Sequence, residues 1–332
     1  MKIFLALLAP SFVLAQGVKP TVGSIEVLDP ALEKLISPDA PIEVLASGFN
    51  WSEGPAWDKK NERLLFSDVP ENTVFQWSKK DGLSVFLSPS GYTGPTGYSR
   101  ESGSNGLAFD LEDNLYFCEH GDRRLSVLPK AGGGKMTVAD RVNGKRFNSP
   151  NDLALHPDGS IYFTDPPYGL PKGPQDPARE TEIFGVYRVN KDGQVTTVID
   201  DLERPNGVTL SPDFKTLYVA QSQVGKAWIL SYPIAKDGSL GERTLLYDAT
   251  PLSNELPGAP DGLKTDTQGN IWCTGPGGVL ILTADGKLLG RILTGQRTAN
   301  CAFGNDGSIL YLTADSYLLR VQTKVTGLGF HQ

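Results

Sequence analysis

Six oxygen-bearing side chains recur at the same point of a repeated sequence pattern. Each stands where a short apolar segment begins, and a turn rich in Asp, Gly and Asn follows that segment. The six residues are Glu53, Asn105, Asn151, Asn206, Asp261 and Asn300. A single Asn or Asp in such a place is an ordinary turn residue. Six equivalent places without an apolar member favour a shared binding site.

Two carboxylates and four amides, without a thiolate or imidazole, have the chemistry of a site for a hard cation. Calcium binds about six to eight oxygen ligands, and Glu53 and Asp261 would balance its charge. Softer metals usually recruit His or Cys, and the three histidines are in the wrong places for a ligand cluster. We therefore predict a divalent metal cofactor, with Ca²⁺ first and Mg²⁺, Mn²⁺ or Zn²⁺ as alternatives.

The repeat also predicts the elements that position these residues. Six units of roughly 40–55 residues have the length of a four-stranded propeller blade. They begin near residues 52, 104, 150, 205, 260 and 299. Long segments with helical periodicity are absent from the sequence. We predict an all-β fold, a six-bladed β-propeller with four-stranded blades, in preference to a pair of β-sandwiches.

A propeller brings distant residues to one place. The innermost strand of each blade lines the central channel, so the residues that begin these strands converge at one mouth of the channel. The ring must close, and we expect a strand near residues 42–45 to join the sheet of the last blade and leave no long exposed edge. A short helix is predicted near residues 30–35.

The N-terminal sequence is typical of a targeting segment. A basic residue, an apolar run and a small residue before Gln16 predict a signal peptide over residues 1–15. A buried N-terminal strand or helix is the alternative. Residues 16–40 are then an extension, and residues 41–326 form the propeller catalytic domain. We expect a secreted protein, with a glycosylation sequon at Asn50.

Composition limits the partners. The formal net charge is −7, and no lysine- or arginine-rich run is present, which disfavours nucleic acid as a partner. A second long apolar run is absent, so a membrane partner is not expected either. We expect a monomer that binds a small molecule. Cys118, Cys273 and Cys301 permit one disulfide, for example between the last two, or three buried thiols.

Several motifs within the repeat resemble those of a known family of six-bladed propellers. These motifs are Ser52-Glu53-Gly54-Pro55, Asn148-Ser149-Pro150-Asn151-Asp152, Asp165-Pro166-Pro167-Tyr168-Gly169, Pro205-Asn206-Gly207, Pro260-Asp261-Gly262 and Asn300-Cys301-Ala302-Phe303-Gly304. In this order, the chain after about residue 40 resembles the regucalcin/gluconolactonase/luciferin-regenerating-enzyme-like family.

The resemblance implies a lactonase, a carboxylic ester hydrolase that opens a sugar or related lactone with a divalent metal. It implies Glu53, Asn151, Asn206 and Asp261 as metal ligands, with Asp261 as the general base. Glu53 is expected to act mainly as a ligand, although the two carboxylates could exchange roles. Ser149 departs from the family, because regucalcin has an Arg there that contacts sugar. Arg146 and Asn148 are candidate replacements.

Further residues are expected around the mouth of the channel. The candidates for substrate binding are Asn105, Asn148, Asn300, Tyr168 and His120. Asp152 is expected to face away from the metal and to brace its loop through backbone N–H groups. Two Gly- and Pro-rich segments, residues 89–104 and 171–182, are expected to cover the mouth, with solvated insertions as the alternative.

Other functions remain open from the sequence. A related esterase or phosphotriesterase would use the same residues on another electrophile. A non-catalytic propeller that binds calcium for structural reasons would be an interaction module. We favour the enzyme, because an interaction propeller seldom concentrates six oxygen donors on its axis.

Overall fold

The computed structural model describes residues 19–95 and 97–330. The predicted signal peptide, residues 1–15, lies outside this part of the chain. Three elements precede the first repeat unit: β1 (Ser24–Val27), the 3₁₀ helix η1 (Pro30–Lys34) and β2 (Glu43–Ser47). Within the described residues, no helix has both the length and the apolar character that a membrane span requires.

The first three repeat units form three antiparallel sheets. Blade 1 contains β3 (Ser52–Asp58), β4 (Arg63–Asp68), β5 (Thr73–Ser78) and β6 (Gly82–Leu87). Blade 2 contains β7 (Ser104–Phe109), β8 (Leu115–Glu119), β9 (Arg124–Leu128) and β10 (Met136–Ala139), and a small hairpin follows it, β11 (Arg141–Val142) and β12 (Lys145–Arg146). Blade 3 contains β13 (Leu153–Leu155), β14 (Ile161–Thr164), β15 (Val186–Val189) and β16 (Val195–Ile199), with the 3₁₀ helix η2 (Gly173–Gln175) between β14 and β15.

The last three units repeat this arrangement. Blade 4 contains β17 (Pro205–Leu210), β18 (Thr216–Gln223), β19 (Lys226–Pro233) and β20 (Thr244–Asp248), and the helix α1 (Thr250–Glu255) follows it. Blade 5 contains β21 (Leu263–Thr265), β22 (Ile271–Gly275), β23 (Gly278–Leu282) and β24 (Leu288–Leu293). Blade 6 contains β25 (Thr298–Gly304), β26 (Ile309–Ala314) and β27 (Tyr317–Gln322), with β2 as its fourth strand.

The prediction of a six-bladed β-propeller is confirmed. The first strands of successive blades contact one another in ring order, and β25 returns to contact β3. The ring closes through the N-terminal strand, as expected, because β2 pairs with β27 and places Val44 opposite Leu319. Strands β17 and β25 are buried along their whole length, whereas outer strand β16 exposes Thr196 and Thr197. The inner strands are therefore packed on both faces by neighbouring blades.

The turns rich in Asp and Asn have a common geometry. In the turn between β7 and β8, Asp110 Oδ1 accepts the backbone N–H of Asn114 at 2.8 Å. Asp266 Oδ1 accepts the N–H of Asn270 at 2.9 Å in the equivalent turn of blade 5. These side chains replace backbone hydrogen bonds where the chain reverses. The repeated turn residues of the sequence are thus explained by the hairpins.

The segment before the propeller is part of its packing. Strand β1 pairs with β24 and adds a fifth strand to blade 5, with Ile25 opposite Ile292. The predicted short helix is the 3₁₀ helix η1, whose first turn is capped by Asp29 through the N–H of Ala31 at 2.8 Å. Leu32 of η1 is fully buried in the core between blades 5 and 6.

The three cysteines are buried free thiols. Cys273 Sγ donates to the carbonyl oxygen of Thr274 at 3.2 Å, and Cys301 Sγ donates to that of Trp272 at 3.4 Å. Burial raises the pKa of the Cys301 thiol to about 12. The alternative with three thiols is confirmed, and the Cys273–Cys301 disulfide is not formed.

Removing the Leu32 side chain should weaken the whole propeller. Leu32→Ala leaves a cavity in a core shared by two blades, and a buried Leu→Ala change costs about 2–5 kcal/mol of unfolding free energy. Leu28→Ala is the matched control, because Leu28 is 53% exposed. Thermal unfolding measures both variants. Equal melting temperatures would show that the N-terminal segment is not an integral part of the fold.

Candidate active site

The six ring residues converge at the starts of the inner strands. The second residues of β3, β7 and β17 are Glu53, Asn105 and Asn206, and the third residue of β25 is Asn300. In the other two blades, Asn151 and Asp261 lie two residues before β13 and β21. Five of the six side chains are at most 5% exposed, and Asp261 is half-buried. The predicted convergence is what the structure shows, and Asp261 is the ring member most open to the mouth.

Glycine allows this convergence. A methyl group on Gly207, next to Asn206, would lie 2.1 Å from the carbonyl oxygen of Asp261 in the next blade. At Gly54, next to Glu53, it would lie 1.9 Å from the Asn105 carbonyl oxygen, and the φ angle of 50° also favours glycine. The residue after each of these ring members therefore has to be glycine for adjacent blades to meet at the axis.

Three ring amides form a directed chain of hydrogen bonds. Asn105 Nδ2 donates to Asn151 Oδ1 at 3.0 Å, and Asn151 Nδ2 donates to Asn206 Oδ1 at 2.6 Å. Asn206 Nδ2 then donates to Ser222 Oγ at 2.8 Å, and Ser222 donates to the carbonyl oxygen of Pro260 at 2.6 Å. The chain holds three amide oxygens in fixed directions around the axis.

Glu53 is held inside the ring. Its Oε2 accepts the N–H of Gly54 at 2.8 Å and Asn300 Nδ2 at 3.2 Å. Burial, with repulsion from Asp152, raises the pKa of Glu53 to about 8. The carboxylate is thus costly to ionise in this position unless a positive charge approaches it.

Asp152 braces its loop and acts electrostatically on the ring. Oδ1 accepts the N–H of Leu153 at 2.9 Å, and Oδ2 accepts the N–H of Val208 in blade 4 at 3.3 Å, which agrees with the expected bracing role. Burial raises the pKa of Asp152, and its charge in turn raises those of Glu53 and Asp261. The expected orientation of Asp152 away from the cation site stays a prediction.

Asp261 shares the mouth with a carboxylate that sequence reasoning missed. Burial and repulsion from Glu53, Asp152 and Glu101 raise the pKa of Asp261. Glu101 belongs to the loop expected to cover the mouth, and burial raises its own pKa. An acidic residue inside a Gly- and Ser-rich loop was the available signal, but no periodicity related it to the ring.

Tyr168 and His120 lie beside the ring, as expected for residues of the pocket wall. Burial and the Asp261 carboxylate raise the pKa of Tyr168, and the Arg204 guanidinium lies 5.6 Å from its ring. His120 Nε2 lies 3.1 Å from Asn151 Oδ1, and Nδ1 lies 3.2 Å from the carbonyl oxygen of Glu101. Burial lowers the pKa of His120 to about 4, so the imidazole is neutral at pH 7 and orients Asn151.

Asn148, in contrast, is part of the loop scaffold. Its Nδ2 donates to Asp165 Oδ2 at 3.0 Å and to the carbonyl oxygen of Ile183 at 3.0 Å, and its side chain is fully buried. These contacts commit the amide protons, whereas Asn148 Oδ1 is buried without a hydrogen-bond partner, so the expected role of Asn148 in substrate binding stays a prediction. Ser149 is similarly committed, since its Oγ donates to the carbonyl oxygen of Pro166 at 2.6 Å.

The donor set fits a hard cation. Among the described residues, no three or more His, Cys, Asp and Glu side chains cluster as a metal site, and the ring instead combines two carboxylates with amides. Asn105 Oδ1 is buried without a hydrogen-bond partner, which leaves one oxygen of the ring to be satisfied. Neutral amide oxygens beside two carboxylates are ligands that calcium accepts.

Comparisons with known proteins agree with the fold and the motifs. Residues 51–316 match the SMP-30/Gluconolactonase/LRE-like region. A gluconolactonase of Zymomonas mobilis is 39% identical over 313 residues, which cover 92% of this chain and 88% of that protein. The structure of a gluconolactonase of Xanthomonas campestris has a TM-score of 0.78 and 31% identity, with 93% of this chain and 99% of the other covered.

A more distant structure shows the shared fold alone. A calcium-binding regucalcin of Agrobacterium tumefaciens has a TM-score of 0.67 at 21% identity, and 93% of this chain and 96% of the other are covered.

The raised pKa of Glu53 predicts a pH-dependent stability when divalent cations are removed. The folded protein keeps the Glu53 proton up to a pKa of about 8, whereas the unfolded chain loses it above a pKa of 4.5. The unfolded state then binds fewer protons, so stability should fall as pH rises between these two values. In chelator-treated protein, we expect the melting temperature to drop by several degrees over this range.

Glu53→Gln should reduce that slope, because the buried group no longer titrates. Glu242→Gln is the control, since Glu242 is exposed and far from the ring in sequence. Identical pH slopes for Glu53→Gln and the wild type would contradict the burial of an ionisable Glu53.

Proposed function

The chain belongs to the SMP-30/gluconolactonase/LRE-like family, and we propose that it hydrolyses a sugar or related lactone with a divalent cation, most simply Ca²⁺, at the ring. Its similarity to gluconolactonases along nearly the whole chain supports a lactonase. The observation that carries the cation is the concentration of carboxylates at the axis. Burial raises the pKa of all three carboxyls, Asp152 further raises that of Glu53, and Glu53 and Asp152 further raise that of Asp261. A divalent charge in this buried site would relieve the repulsion.

The ligands in this proposal are Glu53, Asn151, Asn206 and Asp261. The two amides already direct oxygens into the ring through their hydrogen-bond chain, and Asn105 has an oxygen without a partner. A bound cation would supply Lewis acidity, which polarises the lactone carbonyl and stabilises negative charge on its oxygen.

Asp261 serves as the general base. It is the half-buried member of a ring whose other members are buried, so it is the carboxylate that a water from the mouth can reach. Its raised pKa makes it a stronger proton acceptor than an ordinary Asp. It takes a proton from the attacking water as the water oxygen bonds to the carbonyl carbon. The C–O bond of the lactone ring then breaks, and the oxygen of that bond takes the proton from Asp261.

The neighbouring residues bind and orient the substrate. Tyr168 closes one side of the mouth beside Asp261, and Glu101 reaches the mouth from its covering loop. Asn105 and Asn300 remain candidates for contacts with substrate hydroxyl groups. Neutral His120 keeps Asn151 in place through the 3.1 Å contact of its Nε2, so it acts as a positioning residue in this scheme.

Secretion is part of the proposal. The apolar N-terminal sequence before Gln16 is that of a signal peptide. Comparison of the N-terminal residue of the protein from the culture medium with that from cell lysate tests it. Protein found only inside cells with an intact N-terminus would contradict it.

Asp261→Asn should lower turnover of D-glucono-1,5-lactone by about 100-fold or more, since a general base contributes about 10²–10⁴-fold. Asp192→Asn is the matched control, because Asp192 is exposed in a turn of blade 3. Release of acid is followed at constant pH against the spontaneous rate, over a panel of aldonolactones, aliphatic lactones, aryl esters and organophosphates. Near-normal turnover by Asp261→Asn would exclude it as the base.

Metal dependence has a readout besides activity. Glu53→Gln should weaken Ca²⁺ binding measured by calorimetry and should lower the rise in melting temperature that added Ca²⁺ produces. Glu242→Gln should leave both unchanged. Full activity after chelation would contradict the role of the cation, and calcium binding without hydrolysis of any substrate in the panel would favour an interaction module.

A further inference from the structure

A cavity lies beside blades 2 and 3, and none of the six ring residues lines it. It has a volume of about 520 Å³, within the range of small-molecule sites. Its walls include Tyr92, Tyr98, Asp122, Arg123, Asp140 and Arg146. The two tyrosines come from the loop that also carries Glu101, and Arg123 follows His120 by three residues, so the walls share segments with the active site.

Two arginines in this cavity have donors without acceptors. Arg123 is 4% exposed, donates from Nε to the carbonyl oxygen of Phe147 at 2.7 Å, and donates from Nη1 to that of Ala178 at 2.9 Å. Its Nη2 is buried without a partner. Arg146 donates from Nη2 to the carbonyl oxygen of Asp122 at 2.8 Å, while its Nε is also buried without a partner. Unpaired buried donors are costly, and charged ones more so.

The carboxylates of the cavity do not neutralise these arginines. Asp122 accepts the N–H and the hydroxyl of Thr93 at 3.0 and 2.9 Å and lies 3.6 Å from Arg124. Asp140 lies 3.5 Å from Arg141. Within the described part of the chain, neither Arg123 nor Arg146 has a carboxylate oxygen within 4.0 Å of its guanidinium nitrogens. Glu180 Oε2 accepts the backbone N–H of Arg146 at 2.8 Å. The two guanidinium groups therefore line the cavity without a carboxylate of the described residues in direct contact.

The tyrosines give the cavity a flat apolar wall. Tyr92 and Tyr98 stack with their ring centroids 4.7 Å apart and an interplanar angle of 25°. The positive charges of Arg123 and Arg146 lower the pKa of Tyr98 against the larger effect of its burial, which places both charges near the Tyr98 hydroxyl. An anionic group and a ring would thus meet complementary surfaces in the same cavity.

The backbone of Arg123 also points to a use for its side chain. Its φ angle of 57° lies in the left-handed region, where Gly, Asn or Asp is the ordinary choice. Such a conformation is strained for a residue with a side chain. Glycine would remove the strain but would also remove the guanidinium.

We propose that this cavity binds an anionic monosaccharide, one that carries a carboxylate or a phosphate, with the oxyanion between Arg123 and Arg146 and the sugar ring against Tyr92 and Tyr98. The guanidinium groups of these two lining residues bind the oxyanion, since arginine binds planar carboxylates and phosphates through several N–H groups at once. The assignment is independent of the proposed hydrolysis, because it requires neither a cation nor a reaction at the ring.

Calorimetric titration of the full-length, metal-loaded protein tests the site with D-gluconate, D-glucose 6-phosphate, inorganic phosphate and uncharged D-glucose. Arg146→Gln is the test variant, because Arg123 also supports the backbone. Lys145→Gln is the matched control, since it removes the same charge from an exposed neighbour. We expect D-gluconate, D-glucose 6-phosphate or both to bind and D-glucose not to bind. Arg146→Gln should weaken that binding by about tenfold or more, the loss of a charged hydrogen bond, while Lys145→Gln should not.

Tyr98→Leu separates the two halves of the site. Relative to Tyr98→Phe, which keeps the aromatic ring without the hydroxyl, it should weaken binding of the anionic sugar but leave that of inorganic phosphate unchanged, because only the sugar contacts the aromatic ring. The better of D-gluconate and D-glucose 6-phosphate identifies the oxyanion. Any product binding at the active site contributes equally to Arg146→Gln and Lys145→Gln and cancels between them. Absence of binding to the wild type up to about 10 mM, or equal affinity of the two charge variants, would overturn the assignment.

Discussion

The close approach of the six inner strands at the axis is the constraint on which the site depends. A side chain at Gly54 or Gly207 would enter the backbone of the next blade, so the chain places glycine there and the functional side chain immediately before it. Blades 3 and 6 have Asp152 and Cys301 in place of this glycine, and Asp152 accepts the N–H of Val208 from blade 4. The close contact between successive inner strands therefore determines both the packing between blades and the position of the polar ring.

This contact has an electrostatic consequence. Side chains that converge on the axis lose their hydration, and carboxylates that lose hydration together raise one another's pKa. Glu53 and Asp261 differ in this environment, because Glu53 is buried and Asp261 is half-buried at the mouth. The amide chain from Asn105 to Ser222 adds fixed oxygens without adding charge. A divalent cation, as proposed, would relieve the repulsion between these carboxylates. Asp261 remains the half-buried one.

The repeat predicted the fold because propeller blades are local units, each readable from its own hairpin turns and apolar strands. It also predicted the ring, since equivalent positions of equivalent blades must meet. What the repeat did not contain could not be predicted in the same way. Glu101 reaches the mouth from a loop between blades, the β1 strand pairs with a blade more than 260 residues away in sequence, and Asn148 is turned into its loop by Asp165. Each of these depends on a contact that no periodic signal records.

The inner strands and the connecting loops differ in how far their sequence can change. The ring is made by strand starts that touch the next blade, so a change there disturbs packing and chemistry together. Tyr92, Tyr98 and Glu101 come from a connecting loop, where sequence can change without moving the axis. His120 and Arg123 lie between the ring and the connecting loop. His120 Nε2 contacts Asn151, and Arg123 Nε donates to the carbonyl oxygen of Phe147, which precedes Asn151 in the chain. In the proposed scheme, the loops therefore set the selectivity for a particular lactone or anionic sugar, and the ring carries the reaction.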